Sequence, residues 1–140
     1  MNQIKSVEIV TRFLFDQGRH FNVEPRRIKT EAFLPQEIEG RFETSVFYIK
    51  DLAESEIWDN ISSFIENKRN DERKSKARAD IIVESILNIG LNVEPEIHKS
   101  GHPLHANIIN WSKEDDTQLN QAKLLCNIAT LIIRPKMESN

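Results

Sequence analysis

Val7-Glu8-Ile9-Val10-Thr11-Arg12-Phe13-Leu14-Phe15 is the stretch from which the rest of the chain is read. Val7, Ile9, Phe13 and Phe15, with Thr11 between them, fall on one face at the period of two that a β-strand requires. The opposite face carries Glu8, Val10, Arg12 and Leu14, so it is at most partly open to solvent. Asp16-Gln17-Gly18 then supplies turn chemistry, because glycine accepts a positive φ without steric cost.

Working outward, His20 to Val23 reads as a returning strand, interrupted by Pro25, which cannot donate to a ladder. Ile28 to Leu34 is an extended segment closed by Pro35. Thr44 to Ile49, with Val46, Phe47, Tyr48 and Ile49, is the richest β run after the first. The first fifty residues therefore read as a meander of strands. A helix over about 52–68 follows, with Asp51 as cap and Glu54 reaching back to it. Ile57, Trp58, Ile61, Phe64 and Ile65 give it one apolar stripe, in which Trp58 is a core anchor.

Ala79 to Asn88 fits a short helix ended by Gly90, or a strand across Ala79–Val83. Leu91–Glu94 and Ala106–Trp111 read as strands around a loop at 98–103. The second main helix spans about 113–133, capped by Ser112, with Glu114, Asp115 and Asp116 at the positive end of its dipole. Its buried face is Leu119, Ala122, Leu125, Cys126, Ala129 and Ile132, and residues 136–140 form a flexible tail. The fold class is α+β: an antiparallel or mixed sheet of about 4–6 strands, with both main helices packed on one face.

The 140 residues suit a single domain over 1–135, and 39% hydrophobic content suffices for a core without disulfide or metal staples. No apolar run is long enough to span a membrane, and MNQIKSVEIV lacks the basic-then-apolar order of a signal peptide. The expectation is a cytoplasmic protein of the kind bacteria contain, with no membrane partner. The single cysteine, Cys126, excludes an internal disulfide and a cysteine zinc cage. There is no Walker loop, GxGxxG, GxSxG elbow or nucleic-acid module signature.

The net charge of −3 conceals two basic segments. Residues 12–29 hold five basic and two acidic side chains, a balance of +3, and residues 68–78 hold six and two, a balance of +4. Arginine forks grip phosphate oxygens in pairs, so Arg12, Arg19, Arg26, Arg27 and Lys29 form the candidate phosphate-binding set. Arg73, Lys74, Lys76 and Arg78 form a second one. His20 and His105 are the candidate acid–base residues, working with Asn107 and that first set, Arg12, Arg19, Arg26, Arg27 and Lys29, if strand 7–15, the Gly18 loop and strand 106–111 share a cleft. His98, His102 and His105 are candidate ligands for a divalent metal, with Glu94 and Glu96 just upstream to complete the site, though Gly101 and Pro103 prevent the helical spacing that would align them. No cofactor is predicted.

The leading functional expectation is a small domain that binds a phosphate-bearing ligand, a nucleotide or nucleic acid, through a cationic surface. Two alternatives stand beside it. One is a protein-interaction subunit, immunity- or antitoxin-like or part of a larger assembly, using exposed apolar residues such as Ile38 and Leu104. The other is a small histidine-dependent nuclease or phosphodiesterase, with or without a metal.

Overall fold

A computed structural model of the protein describes residues 7–135. In chain order its strands are β1 (Ile9–Leu14), β2 (Phe21–Asn22), β3 (Arg27–Ile28), β4 (Gln36–Ile38), β5 (Arg41–Tyr48), β6 (Ala77–Ile82), β7 (Asn92–Pro95), β8 (His105–Ile109) and β9 (Thr130–Ile133). Helix α1 has a π-wound half, Glu56–Ser62, that runs into an α-helical half, Ser63–Arg69. Helices α2 (Val83–Asn88) and α3 (Asp115–Ile128) follow, and one 3-10 turn covers Thr30–Ala32.

The sheet order is β7-β8-β5-β1-β6-β9, with β4 paired to β5 as a seventh strand and every pairing antiparallel. This is the α+β class, with more strands than the sequence suggests. The opening fifty residues are not a simple meander. β1 pairs with β5 and β6, while β2 and β3 form a separate two-stranded ribbon. The segment at 79–88 holds both of its readings in succession, a strand and then a short helix ended at Gly90, whose φ is +88°.

The two main helices lie on opposite faces of the sheet, not together on one. Phe13 and Phe15 of β1 pack with Phe47, Ile49 and the α1 residues Ile57, Trp58 and Ile61. Val10 and Leu14 point the other way, into Val46, Ala106, Ile108 and the α3 residues Ala122 and Leu125. The cause is legible in β1 itself: a strand apolar on both sides needs cover on both sides. Burying each large apolar side chain in these two layers is worth about 1.5–3 kcal/mol.

Helix boundaries shift for local reasons. Asp51 occupies a left-handed turn (φ +65°) and does not cap α1. Glu56 makes the reach-back instead, its Oε1 accepting the Ala53 N–H at 3.3 Å. Left-handed Asn70 (φ +56°) ends the helix. Ser112 forms a turn ahead of α3, its Oγ accepting the Glu114 N–H at 3.1 Å, rather than capping it. α3 then stops at Ile128, because Thr130, Ile132 and Ile133 are β-branched and pair with β6 as β9. Gln118 takes the inward position and Leu119 is 40% exposed, contrary to the expected buried face. Among the described residues no helix is long and apolar enough to cross a membrane. The expected tail at 136–140 lies outside the described residues.

Candidate functional site

β1 and β5 pair only at Val10–Tyr48 and Thr11–Phe47. Beyond that point the strands diverge, and a cleft of about 400 Å³ opens between Phe13–Asp16 of one and Glu43–Ser45 of the other. Residues from α1 (Phe64, Lys68, Arg69) and β8 (His105, Asn107) complete its walls. The strand, the Gly18 loop and the β8 strand do share a cleft: Arg12, His20, His105 and Asn107 all line it.

Arg12 crosses the gap that the missing ladder leaves. Its Nε donates to the Ala32 carbonyl at 2.6 Å and its Nη1 to the Ser45 carbonyl at 2.8 Å. Among the described residues no carboxylate pairs with it, and burial lowers its pKa to about 10. The acids at the cleft are held by other groups. Asp16 is engaged by Arg73. Glu43 accepts from Asn107 Nδ2 at 3.2 Å and lies 3.7 Å from Arg41 Nε. Lys68 and Arg69, both exposed, project at the rim, Arg69 stacking on the Phe15 ring at 4.2 Å. Burial, with Arg12 and Arg19 nearby, holds His20 below the ordinary imidazole range, so it is neutral at pH 7.

A second group of polar side chains faces the same cleft. His105, 8% exposed, stands across the β5–β8 pair from Phe47, and its Nε2 is 2.7 Å from the Oγ of exposed Ser45. Its Nδ1 lies 2.8 Å from the Glu96 carbonyl oxygen and 3.4 Å from Glu96 Oε1. Both are acceptors, so in neutral His105 the proton resides on Nδ1 and Nε2 presents a lone pair to the serine hydroxyl. Glu96 is fixed in turn by the backbone N–H groups of Lys99 (2.7 Å) and Ser100 (3.0 Å). These bonds, that of Lys99 foremost, hold its carboxyl below the usual range.

The other candidates scatter. Arg19 pairs with Glu31 at 2.7 Å, and Lys29 donates to the Gly18 carbonyl at 2.6 Å. Arg26 and Arg27 line a separate open groove of about 630 Å³ with Lys123 and Cys126, Arg26 donating to the Leu131 carbonyl at 2.8 Å. In the second basic segment, Lys74 sits 3.5 Å from Glu66 and Lys76 is exposed. Arg78 is buried, clamped by Glu54 at 2.8 Å and Asp80 at 3.0 Å over the Trp58 ring. It is therefore a core residue rather than part of a surface. The two basic segments adjoin along the β1–β6 ladder, where Phe13 and Leu14 face Arg78 and Ala77, and Arg73 engages Asp16 beside it.

The three loop histidines take separate roles. His102 packs edge-on against Phe47 and Phe64, and His98 sits in the turn before it. Among the described residues no group of three or more His, Cys, Asp or Glu side chains is arranged to hold a metal ion. Cys126 donates to the Lys29 carbonyl at 3.3 Å, and burial raises its thiol to about 11. Phe13, Phe15 and Phe21 are core residues. Leu104, expected on an exposed apolar patch, is partly buried against the α1 layer, whereas Ile38 is 42% exposed.

Ser45, Lys68 and Arg69 are the site residues that sequence reasoning leaves out. The alternation of β5 puts Ser45 on the Phe47 face, but only the β5–β8 register brings it to His105. No protein-family model, curated protein or solved structure matches this chain.

Proposed function

We propose that the β1–β5 cleft binds a small phosphate-bearing ligand of nucleotide size. The observation that carries this reading is Arg12, a guanidinium at the cleft with two carbonyl acceptors and no carboxylate. A half-buried cation without a counter-ion among the described residues costs free energy that a bound anion repays. Nη2 stays free of protein acceptors among the described residues, and Lys68, beside the Arg69–Asp71 pair, adds positive field at the rim. The volume fits one nucleotide-sized molecule and not a duplex. Nucleotides and phosphorylated metabolites are cytoplasmic species, and the cytoplasm is the location proposed for this chain.

A thermal-shift titration with inorganic phosphate, nucleoside mono- and triphosphates and short oligonucleotides tests it. Phosphate and nucleotides raise Tm in the wild type and far less in Lys68→Gln/Arg69→Gln. Equal shifts in both proteins, or none in either, contradict the assignment.

A second reading, protein interaction, draws on α3. Leu124 and Ile128, 45% and 40% exposed, are four residues apart and share a helix face away from Ala122 and Leu125. Lysine at both positions would abolish such binding and leave the cleft untouched.

A further inference from the structure

We propose that the cleft is a phosphoryl-transfer site in which Ser45 is the nucleophile, His105 its base and Glu96 the residue that positions His105. This rests on the phosphate-binding reading and names its chemistry: the substrate is a phosphate monoester or anhydride whose leaving group departs without protonation.

Three independent features converge on Ser45. Its hydroxyl is exposed in the cleft while its partner His105 is buried, the arrangement of a nucleophile served by a shielded base. The direction of the hydrogen bond is set, because Nδ1 faces only the two oxygens of Glu96 and Nε2 must accept from Oγ at 2.7 Å. The carbonyl of the same residue receives Arg12 Nη1 at 2.8 Å, which stations a guanidinium beside the nucleophile. Phosphoryl transfer proceeds through a loose transition state, and its main demands are positioning and neutralisation of the equatorial oxygens. Arg12 meets the second demand, and the Ser45–His105 bond meets the first.

In the first step Ser45 Oγ attacks phosphorus. The Oγ–P bond forms, the bond from phosphorus to the leaving oxygen breaks, and the leaving group departs as an anion with the electron pair. The hydroxyl proton passes to His105 Nε2, and the imidazolium is held by Glu96. In the second step water attacks the phosphoserine, the P–Oγ bond breaks, and His105 returns its proton to Oγ. The phosphate leaves as dihydrogen phosphate, so the net reaction consumes one water and needs no other reactant.

The test uses the full chain with p-nitrophenyl phosphate, read as p-nitrophenolate release and as intact mass after acid quench, alongside calorimetry with inorganic phosphate. The expected result is a phosphoryl adduct on the peptide carrying Ser45 and turnover lowered at least about 100-fold in Ser45→Ala and His105→Gln. Ser45 is exposed, so its alanine variant keeps the wild-type melting curve, and adduct formation by the wild type depends on no variant. Glu96→Gln lowers kcat with KM unchanged. Phosphate binding without adduct or Ser45-dependent turnover overturns this proposal and leaves the binding reading standing. A phosphoryl adduct on Ser45 supports the proposal and with it the binding reading, because the cleft must hold the phosphate ester in order to transfer it. Neither adduct nor binding overturns both.

Discussion

The Arg12 guanidinium donates to the Ser45 carbonyl at 2.8 Å across the stretch where β1 and β5 have stopped pairing. A side chain thus occupies the place of a backbone ladder bond. Continuing the ladder would have closed the sheet; the arginine satisfies the carbonyl while leaving a cleft. The price is a half-buried cation with no carboxylate partner among the described residues, which is why the cleft favours an anion.

Arg78 holds its layer together, although its segment reads as a basic surface. Its guanidinium lies between Glu54 and Asp80 and 5.1 Å from the Trp58 ring centre, with Arg134 5.3 Å from the same ring. Arg78→Ala leaves half-buried Asp80 without its cation and is expected to cost about 3–5 kcal/mol. Chemical denaturation checks this; a loss under about 1 kcal/mol would show that the clamp contributes little.

Glu66 makes stability acid-sensitive. It is 6% exposed and accepts from Ser62 Oγ at 3.0 Å, the Ser75 N–H at 2.9 Å and Arg134 Nη1 at 2.9 Å. Burial raises its pKa, but these donors outweigh burial and hold it below the ordinary carboxyl value of 4.5. Its stabilisation is therefore present above about pH 4.5 and lost as pH falls through the lower, folded value. Glu66→Gln should cost about 1–3 kcal/mol at pH 7 and flatten the Tm profile below pH 4.5. An unchanged profile would contradict this role.

His20 and His102 act in a milder range. Burial lowers both below 6.5, helped by Arg12 and Arg19 at His20 and by His105 and Lys68 at His102. The unfolded chain then binds protons that the folded chain declines, so stability falls as pH drops below about 6.5. Proton NMR of the imidazole C–H signals should place both midpoints below 6.5. A midpoint above that value at His20 would contradict the positive field assigned to the cleft.

Cys126 should be inert. With its thiol raised to about 11, it reacts with a disulfide reagent much more slowly in the native protein than in denaturant. Equal rates would show that the α3 layer opens readily.

Strand β1, the α1 stripe and the apolar run before Gly90 were legible because each repeats at its own period over enough residues. The side of the sheet that each helix covers was legible too in principle, since Val10 and Leu14 are as apolar as Phe13 and Phe15. Packing both helices on one face would leave Val10 and Leu14 uncovered. β9 was hidden because Ile132 also fits the helical spacing of α3, and only β-branching at Thr130, Ile132 and Ile133 marks the change. The candidate site is half legible. Arg12, His20, His105 and Asn107 belong to the set that side-chain chemistry singles out, and the fold places them around one cleft. Arg26 and Arg27 share their charge and sequence neighbourhood, yet the β2–β3 ribbon carries them to another groove. Ser45 was invisible because strand register, not spacing along the chain, joins it to His105.

The most direct measurement is a calorimetric titration with inorganic phosphate of the wild type, Arg12→Lys and the double variant Arg26→Glu/Arg27→Glu, at two salt concentrations. The wild type should bind, more weakly at high salt. Arg12→Lys should lose about tenfold or more in affinity, because an ammonium cannot reproduce the fork. The double variant should bind within about twofold of wild type, since its charges lie in the other groove. Binding that survives Arg12→Lys but vanishes in the double variant would contradict the placement of the site in the β1–β5 cleft.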